Sequence, residues 1–330
     1  MTALTPTLQA WFTEHLIGQR GASPHTIAAY RDCVSLLVTH LHQTRGIEPS
    51  DLDFGDLDDA AISGFLAHLE HQRGVSVATR NARLAAIHSL FRYASFRHPE
   101  HADLLARVLA IPTKKANRAD VTFLDDDEVT ALLGAPDLDT WTGRRDHAWL
   151  LLTIVTGIRV GELVNLRRDE VSLTRPTHIV VLGKGRKQRT IPIDDASVTT
   201  LTAWTTTTSA ALDSPLFPAR GARRAMSVDA VAQRLDVHTR RAAAAVPSLA
   251  AKNVTPHTLR PTCVMRMLAA GIDLTTISLW LGHASPEATR HYLHADLGLK
   301  QRALERTAPP RTPKGRYQPT DATLAFLKSL

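Results

Sequence analysis

Between residues 111 and 120 the chain reads IPTKKANRAD, and there the helical spacing of apolar residues that governs everything before it stops. The stretch holds Pro112 and three basic side chains but no apolar stripe. A segment of this kind has nothing to bury, so it divides the chain instead of joining a core. With 330 residues, more than one hydrophobic core usually serves, the break predicts two domains. We place the first at 1–110, a linker at 111–122, the second at 123–300 and a tail at 301–330. A basic linker suits the phosphate backbone of a nucleic acid, through Lys114 and Lys115.

The first part reads as helices throughout. Residues 4–17 are one candidate. Ser23-Pro24 starts a second, with serine at the N-cap and proline at the first helical position. Ile27, Tyr30, Val34, Leu37 and Leu41 continue it as an apolar stripe. Residues 58–69 form a third and 76–96 a fourth, whose inner face is Leu84, Ile87, Leu90, Phe91 and Ala94. The first turns of the fourth helix carry Thr79, Arg80, Asn81 and Arg83. These are residue types that contact phosphates and base edges; a solvated basic face carries the same types.

After the linker, FLDDDEVTALL puts acids in a first helical turn, which suits the helix dipole. Residues 144–155 form a strongly apolar helix, and TGIRVGELVNL turns into another. HIVVLGKGRKQRTIPI reads as strand, basic turn and strand. Helices resume at 197–205, 228–245 and 256–297, the last broken at Gly271 and near 282–286. The expected fold is mainly α, with a small antiparallel sheet in the second domain.

Lys and Arg exceed Asp and Glu by seven, and the pI is near 9.7, a balance that suits a polyanion. Aromatic residues are only 5%, so stacking on splayed single-stranded bases is disfavoured and duplex binding fits better. Cys33 and Cys263 are the only cysteines, which excludes a disulfide framework and points to a reducing, cytoplasmic setting. MTALTPTLQA has no basic region followed by an apolar run, so no secretory leader is expected, and no apolar run is long enough for a bilayer. His40 with His42, His68 with His71, and His98 with His101 lack cysteine partners or a third ligand, so no metal site is assigned.

Five polar patches of the second domain stand out. Arg159 follows a glycine turn, with Glu162 three residues on along the same helix face, where an acid can hold a guanidinium in place. Lys184 lies between two glycines at the hairpin tip, followed by Arg186 and Lys187. His257 and Arg260 share a helix face. His283 follows a glycine, and Tyr292 comes nine residues later in TRHYLH. Each has an ordinary reading alone: a helix salt bridge, a solvated basic hairpin, a cap, a turn histidine, a surface ring. Together they suit one chemistry. Two arginines can clamp the non-bridging oxygens of a phosphodiester. A lysine can protonate a leaving alkoxide, histidines can move a proton, and a tyrosine can attack phosphorus. No carboxylate cluster for a divalent metal accompanies them, so a two-metal nuclease is disfavoured.

The order R…K…HxxR…H…Y, with TGIRVGEL, LGKGRKQRTIPI, HTLR and LGH as its local contexts, resembles the tyrosine recombinase (phage integrase) family, which includes Xer and Cre enzymes. SPHTIAAY and SVATRNARLAAIHSLFRY resemble that family's helical core-binding domain, and the likeness runs over residues 4–297. The resemblance implies a four- or five-helix core-binding domain followed by an α+β catalytic domain. It implies Tyr292 as nucleophile, Arg159 and Arg260 on the phosphate, and Lys184 as general acid. It further implies His257 in proton transfer, His283 on the scissile phosphate and Glu162 in support. It implies duplex DNA with inverted-repeat core sites, dimers on a site and tetramers in synapsis, and no cofactor. The setting would be the bacterial nucleoid, with related recombinases as partners.

Pro261 departs from the family's pattern, in which the residue after the HxxR arginine is commonly histidine. Either the helix starts late, with Pro261 in its first turn, or a proline interrupts it at a cost of about 3 kcal/mol. Two rivals accompany the recombinase reading: a type IB-like topoisomerase, and a DNA-binding subunit whose catalysis has decayed. In the tail, PPRTPKGRYQP should be extended, and residues 321–330 offer Leu324, Phe326, Leu327 and Leu330 as a short apolar helix. Its apolar face could dock back onto its own catalytic domain; the resemblance implies instead that it docks in trans on a neighbouring protomer.

Overall fold

The computed structural model describes residues 4–115, 121–183, 188–207 and 210–282. It divides into two compact units, Met1–Ala119 and Asp120–Leu330. The architecture is mainly α with one small antiparallel sheet.

The first unit begins with α1 (Leu4–Ala10), which passes directly into a π-helical segment, Trp11–Gln19. One regular helix over 4–17 is therefore corrected: Arg20 N–H donates to the His15 carbonyl, five residues back. The widened segment carries Trp11, fully buried and stacked on Tyr30 at 5.6 Å. Helix α2 (Pro24–Arg45) starts as its sequence dictates, with Ser23 Oγ accepting the Thr26 N–H. It ends at Gly46, whose φ of +68° is the left-handed conformation that a glycine cap supplies. Asp58 caps α3 (Asp59–His71) and Ser76 caps α4 (Val77–Ser95). A fifth helix, α5 (Ala102–Leu109), buries Leu105 and Val108. It escapes a periodicity reading because it is short: ADLLARVL is apolar at Leu104, Leu105, Val108 and Leu109, but eight residues span barely two turns, too few to establish a period. Trp11, Leu37, Phe54, Phe65, Leu84 and Phe91 lie in one shared core.

In the second unit, Asp125 caps α6 (Asp126–Gly134), and Glu128 returns a hydrogen bond to the Asp125 N–H. Helix α7 (Trp141–Thr156) is buried on most sides. A Cβ at its Gly143 would lie 1.8 Å from the Asp137 carbonyl oxygen, so only glycine fits there. Next come α8 (Val160–Asn165), β1 (Val171–Ser172), β2 (His178–Leu182) and β3 (Gln188–Pro192). The three strands pair antiparallel in the order β1-β2-β3, with Val181 opposite Arg189 and Ile179 opposite Ile191. The two-residue β1 was not foreseen. Helices α9 (Asp195–Thr206), α10 (Val228–Ala243), α11 (Pro256–Ala269) and α12 (Leu274–Leu281) follow among the described residues.

A buried carboxylate ties α7 to α10. Asp146 is fully buried and accepts from Arg145, Trp149 Nε1, Arg234 and His238 at 2.5–3.1 Å. Burial alone would raise its pKa. The His238 hydrogen bond and the Arg145 and Arg234 guanidiniums outweigh burial and lower it to about 2.

Pro261 lies inside α11. The helix starts at Pro256 behind the Thr255 N-cap, so the late-start alternative is overturned. Having no N–H, Pro261 leaves the His257 carbonyl without its intrahelical donor.

Candidate active site

The site is built on the end of α7. Gly157 stops that helix with φ +63°, its N–H on the Thr153 carbonyl at 2.8 Å. A Cβ here would come within 2.8 Å of Leu281 Cδ2 and 3.2 Å of Cys263 Sγ, so the glycine also permits close packing against α11 and α12. Two residues later Arg159 takes the N-cap position of α8, with extended backbone. Glu162, in the first turn, accepts the Arg159 N–H at 2.9 Å and the Arg159 guanidinium at 3.0 Å. The expected Arg159–Glu162 pairing is present, as a capping arrangement and not as two positions on one helix face.

Arg260 approaches the same turn from α11. Its guanidinium donates to the Gly157 carbonyl at 2.6 Å and to the Leu281 carbonyl at 2.8 Å. These carbonyls close α7 and α12, where helical C=O groups lack intrahelical partners and the dipole favours a cation. The two bonds fix the plane of a guanidinium whose residue is only 9% exposed. Trp280 Nε1 donates to the Thr156 carbonyl at 3.1 Å and holds α12 on the same turn.

A cleft of about 520 Å³ opens here, lined by Arg159, Glu162, Asn165, Val181, Gly183 and His257 among others. His257 is exposed, in the first turn of α11. Gly183 is the residue before Lys184. Lys184, Arg186, Lys187, His283 and Tyr292 lie outside the described residues. So does the tail.

Sequence reasoning missed Arg189. It grips Glu162 with both ends of its fork, at 2.9 and 2.7 Å, so each Glu162 oxygen accepts two hydrogen bonds. Burial raises the Glu162 pKa, but the Arg189 bonds, the Arg159 N–H and two guanidinium charges outweigh burial and hold it below the usual range. The signal was in the strand alternation. Arg189 shares the inward face of β3 with Ile191, and an inward charge needs a partner.

In the first unit, Arg80 is buried and donates to Asn81 Oδ1 and the Pro112 carbonyl, both at 3.1 Å. The Asn81 amide pairs with both the N–H and C=O of Lys114. Lys114 Nζ reaches Glu70 at 2.8 Å, a bond that holds the Glu70 carboxyl below its usual range. Arg83 donates to the Ala29 carbonyl at 2.9 Å. Thr79 and Lys115 are exposed. The beginning of the linker is thus fastened along α4 by the side chains singled out for DNA.

Both cysteines are buried thiols. Burial pushes Cys33 up to about 11 and Cys263 up to about 12, which makes neither a nucleophile near neutral pH. No described helix is long and apolar enough to cross a membrane.

The phage integrase family model matches residues 122–297, and the family's N-terminal SAM-like domain matches residues 10–98. The chain belongs to the phage integrase family. It is 45% identical to y4rC of Sinorhizobium fredii, named as an integrase/recombinase, over 99% of this chain and 98% of the relative. It is 33% identical to the tyrosine recombinase XerC of Xanthomonas campestris, over 86% of this chain and 83% of that one. Its fold is similar to the solved Tn1549 transposon integrase in complex with transposon right end DNA. There the TM-score is 0.68 at 14% identity, over 93% of this chain and all of that one. Site-specific recombination is the function that membership of the family supports.

Proposed function

We propose that this family member cleaves and rejoins duplex DNA through a 3′-phosphotyrosine ester, in the integration, excision or transposition of a mobile element. The observation that carries the reading is the convergence of two arginines on one turn. Arg260 is bonded to the Gly157 carbonyl, and Arg159 stands two residues on, in a cleft it shares with His257.

In the reaction, Tyr292 Oη attacks phosphorus and loses its proton, with His257 assisting the transfer. Arg159 and Arg260 stabilise the charge that builds on the non-bridging oxygens. The bond from phosphorus to the 5′-oxygen breaks, and Lys184 protonates that oxygen. His283 holds the phosphate by a hydrogen bond. A 5′-hydroxyl then attacks the ester, restores the diester and releases Tyr292. Because the ester conserves the energy of the broken bond, rejoining needs no nucleotide.

Thr79, Arg83, Lys115, Arg186 and Lys187 would meet the duplex. Arg80, Asn81 and Lys114 would contribute through the linker segment they hold along α4. The substrate would be paired inverted-repeat sites in the bacterial nucleoid. Pairs of protomers would assemble into a tetramer, with the tail docking in trans and related recombinases as further partners.

The test is suicide-substrate trapping. In a duplex core site nicked just 3′ of the scissile phosphate, cleavage frees a short fragment that carries the 5′-hydroxyl; it diffuses away, so rejoining fails and the ester accumulates. The full chain should form a protein–DNA species stable to denaturant and released by protease. Tight binding of the same duplex with no covalent species would make the protein a DNA-binding subunit without catalysis.

A further inference from the structure

We infer that Arg189 is a positioning residue for the phosphate clamp, acting on Arg159 through Glu162; the inference rests on the assignment of Arg159 to the scissile phosphate. The Glu162 side chain is 8% exposed, and the Arg189 side chain 13%, whereas that of Arg159 is 43% exposed and lines the cleft. One carboxylate therefore holds two guanidiniums, one inward and one facing the site.

The arrangement follows from charge. A carboxylate paired with Arg159 alone would cancel the positive charge that a phosphate must meet. With Arg189 as second cation, the Glu162 group carries a net single positive charge, and Glu162 can orient Arg159 without neutralising the pair. The inner bonds are bidentate, which fixes the carboxylate plane and so the direction of the two bonds to Arg159.

Arg189 is itself held. It sits on β3 opposite Val181, and a Cβ on Gly282 would lie 2.8 Å from its Cδ, so only a glycine at the end of α12 leaves room for it. Through this one side chain β3 is bonded to α8 at the carboxylate that holds Arg159, and the end of α12 packs closely against it.

The test separates binding from cleavage. Arg189→Gln and Arg189→Lys are compared with the native chain and with Arg159→Ala on the nicked core site. The readouts are duplex affinity, single-turnover cleavage rate at saturating protein, and melting temperature. Arg189→Gln should cleave at least tenfold more slowly, with affinity within about twofold. Arg189→Lys, which keeps the charge but loses the fork, should fold like the native chain and cleave at an intermediate rate. Native cleavage by a folded Arg189→Lys together with native cleavage by Arg189→Gln overturns the inference. So does a loss of affinity and stability in both variants with the cleavage rate at saturation unchanged. If Arg159→Ala also cleaves like the native chain, the assignment beneath the inference fails too, and that outcome is read separately.

Discussion

Arg260→Ala is expected to slow DNA cleavage by about a hundred- to a thousandfold at saturating protein, while binding of the core site persists. The side chain supplies a charge that matters most as the phosphate becomes pentacoordinate. It also occupies the Gly157 and Leu281 carbonyls, which the alanine would leave without that donor. Arg260→Lys separates these effects. An ammonium keeps the charge but cannot span two carbonyls in one plane, so it should recover little of the rate. Cleavage within about threefold of native by Arg260→Ala would remove this residue from the site.

Asp146→Ala should produce the largest loss of stability, about 3–5 kcal/mol, because it strips a buried pair of one partner and leaves Arg145 almost fully enclosed. For a unit of this size that corresponds to a fall in Tm on the order of 10 °C. The loss should depend on pH in a set direction. The Asp146 pKa is depressed in the folded state, so its contribution is fully present above the unfolded value of about 3.9. It is lost as pH falls through the folded value of about 2. Thermal melts of the native and Asp146→Ala chains should therefore converge between about pH 4 and pH 2. Equal melting temperatures at pH 7 would show that the cluster does not stabilise the fold.

What the sequence disclosed depended on how far apart the interacting residues lie. The helix start at Ser23 was legible because a cap and its partner are three residues apart. The Arg159–Glu162 pairing was legible for the same reason. The Arg260 bond to the Gly157 carbonyl spans 103 positions and has no local signature. Arg80 and Asn81 show the opposite difficulty. Their types and spacing suit a nucleic-acid face, yet their side chains hold residues 112 and 114, which only the folded chain brings near. Asp146 was hidden inside an apolar run, and its partners Arg234 and His238 lie on a helix read only for its periodicity. The π-helical segment at Trp11–Gln19 has apolar spacing close enough to an α-helix to pass as one.

In the proposed reaction Tyr292 carries the DNA between cleavage and rejoining. The most direct measurement digests the trapped covalent species with protease and identifies by mass spectrometry the residue bearing the 3′-phosphate, with Tyr292→Phe trapped in parallel. The nucleotide is expected on Tyr292, with no covalent species from a Tyr292→Phe chain that still binds the duplex. A nucleotide on any other residue, or an adduct formed by Tyr292→Phe, would contradict that role of Tyr292.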